Sequence, residues 1–310
     1  MITSILWVLL GVVGLYFGSE WLVGGSSRIA IRFGVSPLVI GLTLVAFGTS
    51  APELVVCLLA ALRGSTAITL GNVVGSNIAN IGLILGFAGL IRVMGVERRL
   101  IFIDIPLILF SGLVMWALAW NGILGLRAGV ILLVIFTGFI IFCFKEPPKA
   151  LTGEVPEGAS TNILRDIIIV ILGLLALTAG GQGLVTGAVN IAEMLGVPQL
   201  IIGLTLVAVG TSLPELATSL YAIIKGETDI GIGNIVGSNI FNTTFVMGTV
   251  AIIKPIPVEQ MSLVWDIPVM LVFSLLLLPL LRWNWRLSHP KALFLLVLYI
   301  IYVVKVTVFG

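Results

Sequence analysis

Ten long apolar runs constrain the fold of this sequence more than any other feature. Each run approaches or exceeds the ~20 residues that a helix needs to cross a bilayer core of about 30 Å. Charged residues make up only 10% of the chain, against about 25% in water-soluble domains, and mean hydropathy is +1.23. This composition excludes a cytosolic enzyme, a nucleic-acid-binding protein and a disordered scaffold. The predicted spans are residues 4–24, 36–62, 67–91, 100–120, 122–144, 163–183, 198–224, 229–253, 262–282 and 290–309.

The two halves of the chain are related in sequence. A shift of 162 positions places residues 34–86 on residues 196–248 without a gap, and 30 of the 53 positions are identical. A polar linker at 145–162, rich in Pro, Gly and charged residues, separates the halves. The sequence therefore predicts an internal duplication, with a first five-helix repeat at 1–144 and a second at 163–310.

The number of spans in each repeat has a geometric consequence. Because five is odd, the second repeat begins on the opposite side of the membrane and is inverted relative to the first. We therefore predict an all-α integral membrane protein with ten transmembrane helices in two inverted five-helix repeats. Inverted repeats are typical of transporters whose midplane site opens alternately to either side. The expected surroundings are the lipid bilayer, and a net charge of +2 gives no sign of a nucleic-acid partner.

The basic residues predict an orientation in the cell membrane, because cytoplasmic loops carry an excess of Lys and Arg. With the N-terminus outside, twelve of the 16 basic residues fall in cytoplasmic loops or the linker. We predict that both termini are extracellular and that the 145–162 linker is cytoplasmic. The four basic residues left outside are Arg63, Arg127, Lys254 and Lys305.

Two acidic residues, Glu53 and Glu215, lie in the middle of predicted spans at equivalent repeat positions. A charge at the bilayer centre costs about 2.5–3.5 kcal/mol on the insertion scale, so such residues are functional candidates. They end the motifs GTSAPE (48–53) and GTSLPE (210–215), in which proline removes an amide donor and glycine relaxes the backbone. This predicts a broken helix whose freed carbonyls line a cavity. Protonated carboxyls that join helices, or a simple proline kink, are the alternative interpretations.

A second duplicated motif, GNVVGSNIAN and GNIVGSNIFN, supplies neutral oxygen atoms. Ser76 and Asn80 are four residues apart, as are Ser238 and Asn242, so each pair shares one helix face. The candidate set holds only hard oxygen donors, which favour Ca²⁺, Na⁺ or Mg²⁺ over zinc or copper. Since Mg²⁺ prefers to keep its waters, a site built from protein oxygens favours Ca²⁺.

The two motifs, in this order and in duplicate, resemble the cation/Ca²⁺ antiporter superfamily. The ten-span layout with a short linker is similar to its prokaryotic sodium/calcium exchangers. The resemblance implies an electrogenic antiporter without cofactors that exchanges about three Na⁺ for one Ca²⁺ by alternating access. We expect it to function as a monomer. Glu53 and Glu215 would bind both ions, and the other implied ligands are Ala46, Thr49, Ser50, Ser76, Asn80, Ala208, Thr211, Ser212, Ser238 and Asn242.

The resemblance also implies that the first and sixth spans slide against the rest of the bundle. Gly-rich segments at 18–27 and 180–187 suit such a surface, although small-residue packing alone would look the same. Glu20 aligns with Gln182 under the 162-residue shift and so has no acidic counterpart. We interpret Glu20 as an interfacial group rather than a transport ligand.

Two other functions are open at this stage. A Ca²⁺/H⁺ antiporter of the same superfamily would use the two glutamates as proton acceptors. A passive cation channel would use them as a filter, although channels usually assemble acidic rings from several subunits. The sequence contains no nucleophile–base pair, nucleotide loop or metalloprotease signature, so we do not expect an enzyme.

Overall fold

The computed structural model describes residues 1–145, 162–196 and 210–309, which form a bundle of helices. Nine helices in these ranges are long and apolar enough to cross a membrane. A multi-pass membrane protein was predicted, and the helices confirm it. The helices are α1 (Ile2–Phe33), α2 (Pro37–Leu62), α3 (Thr66–Ala79, continued by Asn80–Leu85 and Gly86–Ile91), α4 (Leu100–Ala119), α5 (Leu126–Lys145), α6 (Ile163–Met194), α7 (Leu213–Lys225), α8 (Thr228–Ile253), α9 (Ser262–Asp266, continued by Ile267–Arg282) and α10 (His289–Phe309).

Helices α1 and α6 are longer than the predicted spans 4–24 and 163–183. Each has 32 residues, which makes it about 48 Å long at ~1.5 Å per residue. The glycine-rich segments do not end these helices, because they pack against a partner helix. A helix of this length exceeds the hydrocarbon core and is accommodated by tilting. The predicted span 198–224 is described only from residue 210 onward, where α7 has 13 residues.

Helices α1 and α6 pack closely against each other through glycines. A Cβ atom at Gly180 would lie 2.9 Å from the Gly11 carbonyl oxygen, and one at Gly18 would lie 2.9 Å from the Gly173 carbonyl oxygen. Because later residues of α1 contact earlier residues of α6, the two helices run antiparallel. A salt bridge of 2.6 Å between Arg28 Nε and the buried Asp166 Oδ1 adds a further link. The two helices therefore form one unit, which we call the α1–α6 pair.

The centre of the bundle is formed by α3 and α8, the two helices that carry the second duplicated motif. In the most apolar stretch of each helix, 72% of residues are buried in α3 and 83% in α8, against 28% in α1 and α6. The largest buried apolar cluster joins α3 and α8 to both halves of α2, to α4, α5 and α9, and to the start of α10. The α1–α6 pair belongs to a separate, smaller cluster with the start of α2 and with α7. The pair thus lies beside the main core rather than within it.

Four two-residue strands, which an all-α prediction did not include, join the helix ends. Strand β1 (Met94–Gly95) pairs with β4 (Arg286–Leu287), and β2 (Ile123–Leu124) pairs with β3 (Ile256–Pro257). Both pairs are antiparallel. Because α4 runs between β1 and β2, the two small sheets lie at opposite ends of α4.

Several helices widen locally into a π-helical turn, which sequence periodicity did not predict. One turn begins at Asn80 and another contains Asn242, so two predicted ligands lie where the helix is wider. Such turns occur frequently at functional sites, because the extra residue changes the direction of nearby side chains. Within the described residues these turns are Gly41–Val45, Asn80–Leu85, Leu100–Asp104, Phe241–Val246 and Ser262–Asp266.

Candidate cation site

Helices α2 and α7 are interrupted at equivalent residues. Ser50 has φ −87° and ψ 0°, and Ser212 has φ −89° and ψ 8°, so both lie outside regular helix geometry. Pro52 and Pro214 fall in the first turn of the helix that follows, where a proline is tolerated. Each proline leaves the carbonyl four residues earlier, such as that of Gly48, without its usual helical amide. The break that the duplicated motif predicts is therefore present in both repeats.

Glu53 and Glu215 lie in the turn after each break, and neither is exposed at all. The Ser50 hydroxyl donates a hydrogen bond of 3.1 Å to Glu215, which links the two repeats. Both carboxylate oxygens of Glu53, and Oε2 of Glu215, have no hydrogen-bond partner among the described residues. The two carboxylates are also close enough to interact electrostatically. Buried unpaired charges are costly, so this arrangement is suited to a bound cation that neutralises both groups.

Each break is tied to the opposite repeat by an asparagine. Thr49 Oγ1 donates to Asn234 Oδ1 at 3.0 Å, and Asn72 Nδ2 donates to Thr211 Oγ1 at 3.4 Å. Asn234 also donates to the Ser219 hydroxyl at 2.9 Å. Asn72 and Asn234 are equivalent residues, and neither was predicted to contribute. The sequence spacing could have indicated this role. Each asparagine precedes the serine of its motif by four residues, so the two side chains lie on the same helix face.

The other predicted side chains also converge, in the middle of α3 and α8 and at the two breaks. Ser212 donates to the Ser76 hydroxyl at 3.2 Å, and the Ser238 hydroxyl lies 3.4 Å from that of Thr49. Asn80 donates to the Asn239 side-chain oxygen at 3.1 Å. All of these predicted residues are buried, whereas Thr211 is half-buried.

Three of the predicted ligands, Asn242 and the two alanines, do not take part in the hydrogen bonds between the repeats described above. Neither amide atom of Asn242 has a hydrogen-bond partner among the described residues, although the side chain is wholly buried. The Ala46 carbonyl accepts the Ser50 amide at 3.0 Å and the Thr49 hydroxyl at 3.4 Å, so the break does not free it. Ala208 lies outside the described residues.

The atoms at this site that could coordinate a cation are all oxygens. Within the described ranges, no group of three or more His, Cys, Asp and Glu side chains is placed to hold a metal ion. Hydroxyl, amide and carbonyl oxygens would therefore complete the shell of any cation between the two carboxylates. Such neutral and anionic oxygens suit Ca²⁺ and Na⁺ rather than zinc or copper.

A bundle of membrane helices around a buried, oxygen-lined, two-carboxylate site defines an ion transporter of the cation antiporter class. The model of the sodium/calcium exchanger protein family matches residues 3–145 and 166–308, and the chain belongs to this family. The superfamily resemblance of the duplicated motifs is confirmed by this match. The family consists of transporters, so the protein is not an enzyme, and the ions it handles are substrates rather than cofactors.

Individual relatives and solved structures agree with the family assignment. The sodium/calcium exchanger MaX1 of Methanosarcina acetivorans is 34% identical over 98% of this chain and 99% of the relative. The inner membrane protein YrbG of Escherichia coli is 34% identical over 87% of this chain and 86% of the relative. A structure of the sodium-calcium exchanger NCX_Mj matches with a TM-score of 0.85 at 33% identity, covering 98% of this chain and 99% of that one.

Proposed function

We propose that this protein exchanges Na⁺ for Ca²⁺ across the cell membrane by alternating access. The observation that carries the proposal is the pair of wholly buried carboxylates, Glu53 and Glu215, with three of their oxygens unpartnered among the described residues. One Ca²⁺ or several Na⁺ can neutralise the same two charges, so the ions compete for one cavity. The relative MaX1 is named a sodium/calcium exchanger, and NCX_Mj was studied after soaking with Na⁺ and Sr²⁺.

We assign the ligands by combining the geometry with the family resemblance. Glu53 and Glu215 bind both ions, and the backbone carbonyls of Thr49 and Thr211 complete the Ca²⁺ site. The hydroxyl contacts at the breaks support this assignment, because they bring oxygens of both repeats together. The further ligands for Na⁺ or for the middle position are Ala46, Ser50, Ser76, Asn80, Ala208, Ser212, Ser238 and Asn242.

The proposed architecture is ten membrane helices in two inverted five-helix repeats. The antiparallel packing of the equivalent helices α1 and α6 supports the inversion. The small sheets support it as well. Strand β3 follows α8 as β1 follows α3, yet β3 pairs with β2, at the end of α4 opposite to β1. Equivalent positions of the two repeats thus lie at opposite ends of the bundle.

The sheets also support the proposed orientation, with extracellular termini and a cytoplasmic linker at 145–162. Arg92 and Arg98 flank β1, while Arg282 and Arg286 lie at β4, so four basic residues cluster at one end. At the β2–β3 end, Arg127 and Lys254 lie beside the strands, and Arg63 precedes α3 on the same side. By the positive-inside rule, the β1–β4 end faces the cytoplasm.

The counter-ion and the stoichiometry define the test of this function. Exchange of about three Na⁺ for one Ca²⁺ by a monomer moves one net charge per cycle, and such a charge couples to about 2.3 kcal/mol per 100 mV. We therefore propose measuring ⁴⁵Ca²⁺ uptake into proteoliposomes loaded with Na⁺, at defined membrane potentials. A parallel set of vesicles carries only a proton gradient.

The expected result is Ca²⁺ uptake that needs an outward Na⁺ gradient and rises with an inside-positive potential. Uptake driven only by protons would assign the protein to Ca²⁺/H⁺ antiport and overturn the Na⁺ coupling. Uptake that follows the Ca²⁺ gradient without a counter-ion would overturn antiport itself and indicate a channel.

A further inference from the structure

The α1–α6 pair covers the described parts of the two glutamate-bearing helices to different extents, and an inference from this difference rests on the proposed function. Helix α1 packs closely along α7, whereas the equivalent pairing of α6 with residues 51–62 of α2 is far less extensive. As a result Val56 and Leu59 of α2 are 36% and 46% exposed. Their equivalents on α7 are Thr218, which is 0% exposed, and Tyr221, which is half-buried. The α1–α6 pair therefore covers the α7 side of the site.

The Thr218 hydroxyl beneath this cover is unusual. Threonine hydroxyls inside helices commonly bond the carbonyl four residues earlier. Six others in this structure do so: Thr43, Thr137, Thr178, Thr186, Thr244 and Thr307. The hydroxyl of Thr218 is buried and has no hydrogen-bond partner among the described residues. An unpaired buried hydroxyl costs free energy, so a contribution to stability does not explain why a threonine lies at position 218.

Thr218 lies between the carboxylate site and a cavity. It is three residues from Glu215 and three from Tyr221, so on α7 it neighbours both side chains. The Tyr221 side chain lies against α1, beside Glu20 and with its ring centroid 5.7 Å from that of Tyr16. Both Glu20 and Tyr221 line a cavity of about 640 Å³ between α1, α6 and α7, and its other charged lining residues are Arg28, Arg165, Lys225 and Glu227. Glu215, Thr218 and Tyr221 thus form a line of oxygen atoms from the site toward this cavity.

The other repeat has no such line. The residues equivalent to Thr218 and Tyr221 are Val56 and Leu59, and the residue equivalent to Glu20 is Gln182. The polar line is therefore not a by-product of the duplication. It belongs to the side of the site that α1 covers.

We propose that the Thr218 hydroxyl is a transit ligand for the transported Na⁺ and Ca²⁺, reached from the cavity when the Glu20–Tyr221 contact between α1 and α7 opens. A hydroxyl oxygen is a neutral hard donor, which suits both ions without trapping them. Glu20 then acts at the mouth of this route, as the carboxylate that a cation meets before Thr218. This role goes beyond the interfacial one that the sequence indicates.

The test compares Thr218→Val, which removes the hydroxyl at nearly constant volume, with Thr218→Ser, which keeps it. Thr178→Val is the matched control, because its hydroxyl bonds the Leu174 carbonyl away from the site. Na⁺-driven Ca²⁺ flux is measured in right-side-out and inside-out membrane vesicles. We expect Thr218→Val to raise the apparent KM for Ca²⁺ about threefold to tenfold at the cavity face only. Thr218→Ser and Thr178→Val should retain the wild-type KM.

Equilibrium Ca²⁺ binding to the purified variants separates a transit role from a structural one. Binding to Thr218→Val should stay within about twofold of wild type, since the carboxylates are intact. An unchanged KM at both faces, or an equal rise at both faces, would overturn the proposal. Failure of the proposed function is a separate outcome, because wild-type vesicles would then show no Na⁺-driven flux at all. If protons drive the flux, the same comparison still tests Thr218.

The proposed opening of the Glu20–Tyr221 contact can be tested separately. A Thr218→Cys variant is exposed to a small, cationic thiol reagent, with and without Tyr221→Phe, which removes the hydroxyl of the side chain beside Glu20. The wild type, which keeps Cys57 and Cys143, gives the background labelling that is subtracted. We expect Tyr221→Phe to speed the labelling of position 218 and Ca²⁺ to slow it. Labelling that neither Tyr221→Phe nor Ca²⁺ affects would contradict the gating role.

Discussion

At the residue scale, the two glutamates are the proposed ligands on which we expect exchange to depend most directly. Glu53→Gln and Glu215→Gln preserve shape but remove a charge from an oxygen cluster with few internal partners. We expect Na⁺-driven Ca²⁺ uptake to fall by about 100-fold or more, beyond the usual cost of losing an outer-shell partner. The melting temperature without added ions should not fall, because a buried charge has been removed.

The control for this prediction is Glu259→Gln, since Glu259 is an exposed carboxylate in the loop after β3. Its uptake should match that of the wild type. Undiminished uptake in both buried variants would mean that the carboxylates are not the ion ligands, and the assigned site would then be wrong.

The asparagines behind the site support a second prediction at this scale. Asn234 bonds both Thr49 and Ser219 inside the protein, whereas Asn72 makes one longer contact with Thr211. We expect Asn234→Ala to lower the free energy of unfolding by about 1–3 kcal/mol, because it removes one buried hydrogen bond from the Thr49 hydroxyl and one from the Ser219 hydroxyl. Asn72→Ala should cost less. Denaturant titration of the purified variants measures the difference, and equal losses would contradict the unequal bonding.

At the scale of helices, the α1–α6 pair depends on the absence of side chains at its contact. Gly11, Gly18 and Gly25 recur every seven residues, and the equivalent glycines of α6 have the same spacing. Seven residues are about two helical turns, so each set lies on one face. Backbone atoms of the two helices meet there directly. We therefore expect α1 and α6 to move together, as one rigid unit.

This contact predicts the effect of one added methyl group. In Gly180→Ala the new Cβ would lie 2.8 Å from the Leu15 amide nitrogen and 2.9 Å from the Gly11 carbonyl oxygen. We expect a loss of about 1–3 kcal/mol in unfolding free energy, because neither backbone atom can move aside easily. Gly138→Ala on α5 is the control, since a Cβ there meets no described atom within 4 Å. Equal stability of the two variants would disprove the tight contact.

At the scale of the whole molecule, the sequence predicts the structural features that depend on neighbouring residues or that occur in both repeats. The membrane spans follow from apolar runs, and the breaks at Ser50 and Ser212 follow from the Gly and Pro in each motif. The full length of α1 and α6 could not be predicted, because their glycine-rich ends are stabilised by each other. The contact between Thr49 and Asn234 joins residues 185 positions apart, and only the folded chain brings them together. The π-helical turns likewise leave no periodic signal in the sequence.

The proposed inverted architecture leads to a prediction about which loops face each side of the membrane. Trp283 lies at the β1–β4 end and is 73% exposed, whereas Asn121 is exposed at the β2–β3 end. We expect a membrane-impermeant thiol reagent to label Asn121→Cys on intact cells, and Trp283→Cys only after permeabilisation. The wild type, whose two cysteines are buried, is the unlabelled control. Labelling of both variants from outside would contradict the inversion, whereas a reversed pattern would retain it and overturn only the orientation.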